Sequence, residues 1–292
     1  MPFPIQSLFV NTNGIRLHVA VAGPADGPPV VLLHGFPEFW YGWRHQIEPL
    51  AAAGYRVLAP DQRGYNLSGK PRGVDNYRVA TLAADVTGLL DALGYRQVCL
   101  AGHDWGAAVA WETAIRYPER VRRLAILNVP HPDVMSRFLL SNREQFRKSW
   151  YIYFFQLPWI PEAVLRANDW APAVQMLTQS GTPGSFTPED IEQYRRAWWR
   201  KDAMTSMLNW YRAAFRGALR GPLNPEEVAA RRVYVPALIL WGKNDIALSY
   251  QMAQPSLDLC TEGRLVTFEH ATHWVQHDEA EAVSQALISF FG

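Results

Sequence analysis

Gly102-His103-Asp104-Trp105-Gly106 follows an apolar run that ends at Ala101 and precedes a helical pattern in which Ala108, Trp111 and Ile115 share a face. Residues without side chains two before and two after a central acid let a strand turn sharply into a helix and push that acid outward. Such turns usually present Ser; here the centre is Asp104. A carboxylate needs no base to be nucleophilic at neutral pH, and it can displace at a saturated carbon to leave an ester. The plainer explanation is an ordinary strand-to-helix turn with an acid at a favourable helix N-terminus. Two more residues weigh against it. Asp245 follows the apolar run Ala237–Trp241, and His273 follows Leu265–Glu269. Nucleophile, acid and histidine thus come in chain order past the ends of strands, where open α/β sheets gather their chemistry. His270 is the rival base and Asp258 the rival acid, and both fit the strand-end position less well.

His34-Gly35-Phe36-Pro37 closes the third strand-like run. In a sheet of this kind the loop there supplies one backbone N–H to an oxyanion hole, and the residue after the nucleophile supplies the other. Phe36 and Trp105 are the expected donors, and Phe36–Pro37 is a candidate cis peptide. Gly64–Pro71 resembles a phosphate loop, but Pro71 stands where a hydroxyl residue would hold magnesium. The sequence has no HExxH and no CxxC, and His103 and His131 are isolated. Neither a metal nor a cofactor is expected.

These residues need a scaffold, and its pattern is visible. Residues 7–22 read as a hairpin with a turn at Asn11–Gly14. Pro29–His34, Tyr55–Pro60, Gln97–Ala101, Arg123–Asn128, Ala237–Trp241 and Leu265–Glu269 are short apolar runs of the buried-strand type. Between them, Leu82, Val86, Leu89, Leu90 and Leu93 line one helix face, as do Val283, Ala286, Leu287 and Phe290. Buried strands alternating with amphipathic helices specify an α/β protein with a mostly parallel sheet covered on both faces. The alternation stops between about residues 131 and 222. That stretch is helix-like, holds six of the 12 tryptophans and carries a net +4. It reads as an inserted helical layer, with Pro222 and Pro225 leading back to the sheet.

The whole chain bounds the answer. With 292 residues, 49% of them apolar, there is ample material for a large core. The overall charge of +1 favours neither nucleic acid nor an anionic membrane. Two cysteines, Cys99 and Cys260, suit free thiols in a reducing compartment. The N-terminus lacks the features of a signal peptide, and no apolar run approaches the roughly 18 residues of a membrane span. A cytoplasmic monomer or homodimer is expected.

The chain resembles the α/β-hydrolase superfamily over essentially its full length, and within it the epoxide hydrolases. The marks are His34-Gly35-Phe36-Pro37-Glu38, Asp61-Gln62-Arg63-Gly64-Tyr65, Gly102-His103-Asp104-Trp105-Gly106 and His273-Trp274. The resemblance implies an eight-stranded sheet with a helical cap between strands six and seven, so that residues 1–131 and 222–292 form the core and 132–221 the cap. Within the cap, Ser149–Gln156 and Asn209–Arg212 resemble the family's two phenol-donor segments, which singles out Tyr151 and Tyr211. Tyr153 is the alternative to Tyr151; residues two apart on a helix point about 200° apart, so only one of them can face the site. Thr272 departs from the pattern, standing where the family usually has Gly or a very small residue.

The expected reaction turns an epoxide and water into a vicinal diol. Asp104 opens the ring, Tyr151 and Tyr211 protonate the ring oxygen, and His273 oriented by Asp245 activates water to hydrolyse the ester. The substrate is expected to be small and hydrophobic, with Pro37, Phe154, Phe155, Trp159 and Trp274 as candidate pocket walls. Haloalkane dehalogenation is the near rival, since it would use the same Asp104, Trp105 and His273. Such enzymes often place Asn where this chain has Phe36, and some place their acid where it has Asn128. Haloacid dehalogenases of the fluoroacetate type usually follow the nucleophile with Arg to hold a carboxylate, where this chain has Trp105. An esterase would need Ser in place of Asp104. A non-catalytic ligand-binding protein on the same fold is the remaining alternative.

Overall fold

The computed structural model describes residues 3–218 and 231–292, so the expected core–cap boundary at 221/222 lies outside the described residues. The strands are β1 (Gln6–Thr12), β2 (Ile15–Ala22), β3 (Pro29–Leu33), β4 (Arg56–Pro60), β5 (Val98–His103), β6 (Val121–Leu127), β7 (Ala237–Gly242) and β8 (Gly263–Phe268). They form one sheet in the order β1-β2-β4-β3-β5-β6-β7-β8. β2 pairs antiparallel with β1 and β4, and every later pairing is parallel. The register aligns Leu33 with Gly102 and Leu127 with Leu240, so neighbouring strands end close together along one edge.

Alternate strand residues feed two separate cores, as a period of two requires. Val31, Leu33, Leu58 and Leu100 enter one; Val30, Leu32, Val57 and Ala101 enter the other. α2 (Val79–Leu93) and α3 (Trp105–Arg116) cover the first face. α1 (Arg44–Ala52) and α12 (Ala280–Phe291) cover the second. α2 buries Leu82, Val86, Leu89 and Leu90 of the expected stripe, leaves Leu93 half-buried, and ends at Gly94, whose φ of 75° suits a helix C-terminus. α3 departs from its expected single face: it is buried from Gly106 to Ala114 except at Ala108. It is wedged between the sheet and α2, so little of it meets solvent. α12 packs through Val283, Leu287 and Phe291, which shifts its face one residue beyond the expected Phe290.

Between β6 and β7 the described residues are helical. They form α4 (Pro132–Ser141), α5 (Arg143–Lys148), α6 (Trp150–Phe154), α7 (Ile160–Thr178, kinked at Ala167–Trp170), α8 (Pro188–Trp198) and α9 (Ala203–Ala218). Of this layer's tryptophans, Trp170, Trp198 and Trp210 are buried, whereas Trp150, Trp159 and Trp199 are exposed. Two short helices, α10 (Ala253–Leu257) and α11 (Val275–Asp278), complete the core. No described helix is long and apolar enough to cross a membrane.

Candidate active site

The turn from β5 into α3 is held shut by contacts that admit no side chain. A Cβ on Gly102 would stand 2.4 Å from the Gly106 carbonyl oxygen, and one on Gly106 would stand 2.1 Å from that of Leu33. Gly35 faces the nucleophile just as closely, 2.3 Å from the Asp104 Cβ. At the apex Asp104 adopts φ 48° and ψ −124°, a conformation that costs energy outside glycine and persists only where its surroundings enforce it. Its Oδ1 accepts a hydrogen bond from the Phe36 amide at 2.7 Å. Of the two expected oxyanion donors, Phe36 is the one whose amide bonds this carboxylate. The Trp105 amide makes no hydrogen bond to that carboxylate among the described residues. Phe36–Pro37 is cis, as expected.

Asp245 and His273 meet beside it. His273 Nδ1 lies 2.8 Å from Asp245 Oδ2, and its Nε2 lies 3.6 Å from Asp104 Oδ2. The second oxygen of Asp245 accepts from the Ala247 and Leu248 amides at 2.7 and 2.8 Å. Burial opposes the charge of Asp245, but His273 and these donors prevail and hold its carboxyl below the usual range. Burial likewise opposes a charged His273, yet Asp245 and Asp104 together raise it to about 10. The rivals lie elsewhere: His270 and Asp258 are exposed, and among the described residues neither bonds Asp104, Asp245 or His273.

From the helical layer between β6 and β7, Tyr151 on α6 and Tyr211 on α9 come together with ring centroids 5.9 Å apart. Phe155 packs edge-on against Tyr211 at 4.9 Å, and Phe36 does so at 5.3 Å. Burial and the Asp104 charge raise both phenols above their ordinary range, so they stay neutral. Tyr153 points outward and is 45% exposed, packed on Phe146 and Phe215. The half-turn geometry thus separates Tyr151 from its alternative.

The candidate walls divide. Pro37 and Phe155 are buried at the site, and Phe154 packs behind Phe155 at 5.8 Å. Trp274 is buried edge-on to His273 at 5.1 Å, its indole donating to Ser180. Trp159 does not join them. It is 72% exposed and lines a concavity of about 900 Å³ with Glu162, Arg212 and Phe215, away from Asp104. A left-handed φ of 53° at the start of α7 turns it outward, which its aromatic character did not reveal.

Several supporting residues escaped the sequence reading. Asn128, buried at the end of β6, donates to Asp245 Oδ2 at 2.8 Å and to the Thr272 carbonyl at 3.2 Å. Its own oxygen accepts from the Gly242 amide at 3.0 Å, so it ties β6, β7 and the histidine loop. Glu38 accepts hydrogen bonds from His277, Gln276 and Tyr194 on α8. His103, isolated in the sequence, donates to the His273 carbonyl at 2.8 Å. Glu38 was visible as part of His34–Glu38, but its partners lie more than 150 positions away. Among the described residues, no group of three or more His, Cys, Asp or Glu is arranged to hold a metal ion.

This arrangement has close parallels. A family model described as the alpha/beta hydrolase fold matches residues 28–280. The AB hydrolase superfamily protein YfhM of Bacillus subtilis (strain 168) is 46% identical over 98% of both chains. Epoxide hydrolase 4 of Homo sapiens is 37% identical over 96% of this chain and 77% of its own. The crystal structure of an epoxide hydrolase of Bacillus megaterium, in complex with an inhibitor, superposes with a TM-score of 0.86 at 30% identity, covering 97% of this chain and 99% of that one. Sequence, fold and strand-end chemistry agree, and the chain belongs to the α/β-hydrolase superfamily, in the branch that contains the epoxide hydrolases.

Proposed function

We propose that the protein hydrolyses small hydrophobic epoxides to vicinal diols through an ester on Asp104. The observation that carries this reading is a carboxylate at a strained strand-to-helix turn whose charge acts on two neutral phenols of the cap. With Oδ1 engaged by the Phe36 amide, Oδ2 is the oxygen free to attack an epoxide carbon. The C–O bond of the ring breaks, and the ring oxygen takes a proton from Tyr151 or Tyr211. A raised phenol is still more acidic than the alcohol formed, and the Asp104 charge that raised it is consumed in the same step, so the transfer is downhill.

Esterification then removes the Asp104 charge. Two consequences follow at the same moment. The phenols lose a neighbour that had made them weaker acids, and His273 loses a partner that had held its proton. His273 can then act as a base, oriented by Asp245, and take a proton from water that attacks the ester carbonyl. Charge develops on Oδ1, where the Phe36 N–H already points. Collapse expels the diol oxygen, which leaves with the second proton of that water; the carboxylate returns, and the proton that His273 released on esterification restores the phenol. This route uses no cofactor.

The decisive test is the His273→Gln variant exposed to mixed terminal epoxides and haloalkanes, read by intact mass and peptide mapping. Gain of a whole epoxide mass on the peptide containing Asp104 is expected. Gain of an alkyl group without halogen would make the protein a dehalogenase and reduce Tyr151 and Tyr211 to pocket walls. No adduct across a broad panel, with tight ligand binding, would leave the non-catalytic reading.

A further inference from the structure

Cap helix α8 presents one stripe to the turn that carries the oxyanion donor. Asp190, Tyr194 and Trp198 are spaced four apart and so share a face. Asp190 accepts from the Tyr41 hydroxyl at 2.9 Å and pairs with the Arg44 guanidinium at 3.0 Å. Tyr194 donates its hydroxyl to Glu38 Oε1 at 2.6 Å. Trp198 donates its indole N–H to the Pro37 carbonyl at 2.7 Å. Tyr194 and Trp198 are both almost fully buried, at 0% and 1% exposure, so neither bond competes with water.

The turn they hold is short. The Glu38 amide closes it by donating to the Gly35 carbonyl at 3.0 Å, and its second residue, Phe36, donates to Asp104. Cap contacts therefore fix its third and fourth residues, Pro37 and Glu38. A donor works on a developing oxyanion only when its direction is set beforehand, and removal of one such donor costs about 10²–10³ in rate. We propose that Tyr194 and Trp198 are positioning residues for the Phe36 N–H. The cap that supplies phenols for ring opening thereby also aligns the group that stabilises ester hydrolysis. This inference rests on the ester mechanism proposed above.

The experiment follows the ester itself. Rapid quench and intact mass with a terminal aryl epoxide measure ester formation and ester hydrolysis separately in Trp198→Phe and Tyr194→Phe. Trp170→Phe is the comparator: Trp170 is buried 5.7 Å from the Trp198 ring, and its indole N–H has no partner among the described residues. We expect ester formation within about twofold of the parent in both variants, and hydrolysis slowed by about tenfold, so that ester accumulates at steady state. Trp170→Phe should leave that partition unchanged. If Trp198→Phe fails to fold, Tyr194→Phe, which keeps its ring, carries the test. Equal slowing of both steps, an unchanged partition, or the same change in Trp170→Phe would overturn the positioning role while the ester mechanism stands. Absence of any ester in His273→Gln would instead overturn the mechanism, and this inference with it.

Discussion

Asp104 and the Tyr151–Tyr211 pair act on each other across the same space, yet what holds them differs in kind. Asp104 is placed by backbone: a turn with no room for a Cβ at Gly102, Gly106 or Gly35, and an amide bonded to Oδ1. Tyr151 and Tyr211 are placed by side chains, through edge-on contacts among Phe36, Phe155 and each other. Backbone placement tolerates almost no change in volume, because a displaced strand disturbs every neighbour in the sheet. Aromatic packing is more forgiving of shape and depends on the hydroxyl only for chemistry. The floor of the site is rigid by construction, and the roof is exchangeable in detail.

The sharpest way to break that contrast is Gly106→Ala. Its Cβ would fall 2.1 Å from the Leu33 carbonyl in a central strand, where neither partner can give way. We expect a loss of at least about 3 kcal/mol in chemical denaturation and no measurable turnover. Next, Tyr151→Phe and Tyr211→Phe should each slow ester formation by about 10²-fold, because one acid remains, with a larger loss in the double variant. Stability should change by less than about 1 kcal/mol, and hydrolysis of preformed ester should be unaffected. Slower hydrolysis would show that the phenols also serve the floor.

A third effect is moderate and depends on pH. The folded-state value of His273, about 10, lies above its ordinary 6.5. Its stabilising contribution is therefore complete below about pH 6.5 and is lost as pH rises toward 10. Melting temperature of the parent should fall across that window more steeply than that of His273→Gln. In single-turnover experiments the hydrolysis step should titrate well below pH 10, since the ester no longer carries the Asp104 charge. The smallest effect is expected from Tyr153→Phe. With its ring exposed and away from the site, activity should stay within about twofold and stability within about 0.5 kcal/mol.

The same division explains what was legible in the sequence. Strand ends and chain order exposed Asp104, Asp245 and His273, and flanking glycines marked Asp104 in addition, because its turn admits no side chain at Gly102 or Gly106. Six strands appeared as apolar runs and the first two as a hairpin, each within about two residues of its observed start. Side chains of the helical layer carry no such signature. Tyr151 and Tyr211 emerged only through family resemblance, and Trp159 was placed inward although it faces solvent. Asn128 entered the sequence reading only as an uncharged stand-in for an acid, since its bonds reach residues 114 and 117 positions away. Tyr194 and Trp198 followed an i, i+4 rule, but their partners on the floor could be known only from the fold.

The unequal surroundings of the two Asp104 oxygens have an isotopic consequence. Oδ1 is held by the Phe36 amide at 2.7 Å, while Oδ2 faces His273 at 3.6 Å. In heavy-oxygen water the first diol released would carry an ordinary atom taken from the enzyme, and the heavy atom would stay behind on Asp104. Each later diol would contain the oxygen that water deposited one cycle earlier. So long as the amide keeps the carboxylate from turning over, the held oxygen never enters product. The side chain would then saturate at one heavy atom rather than two, however many substrates it had opened, and so preserve a record of which of its oxygens did the work.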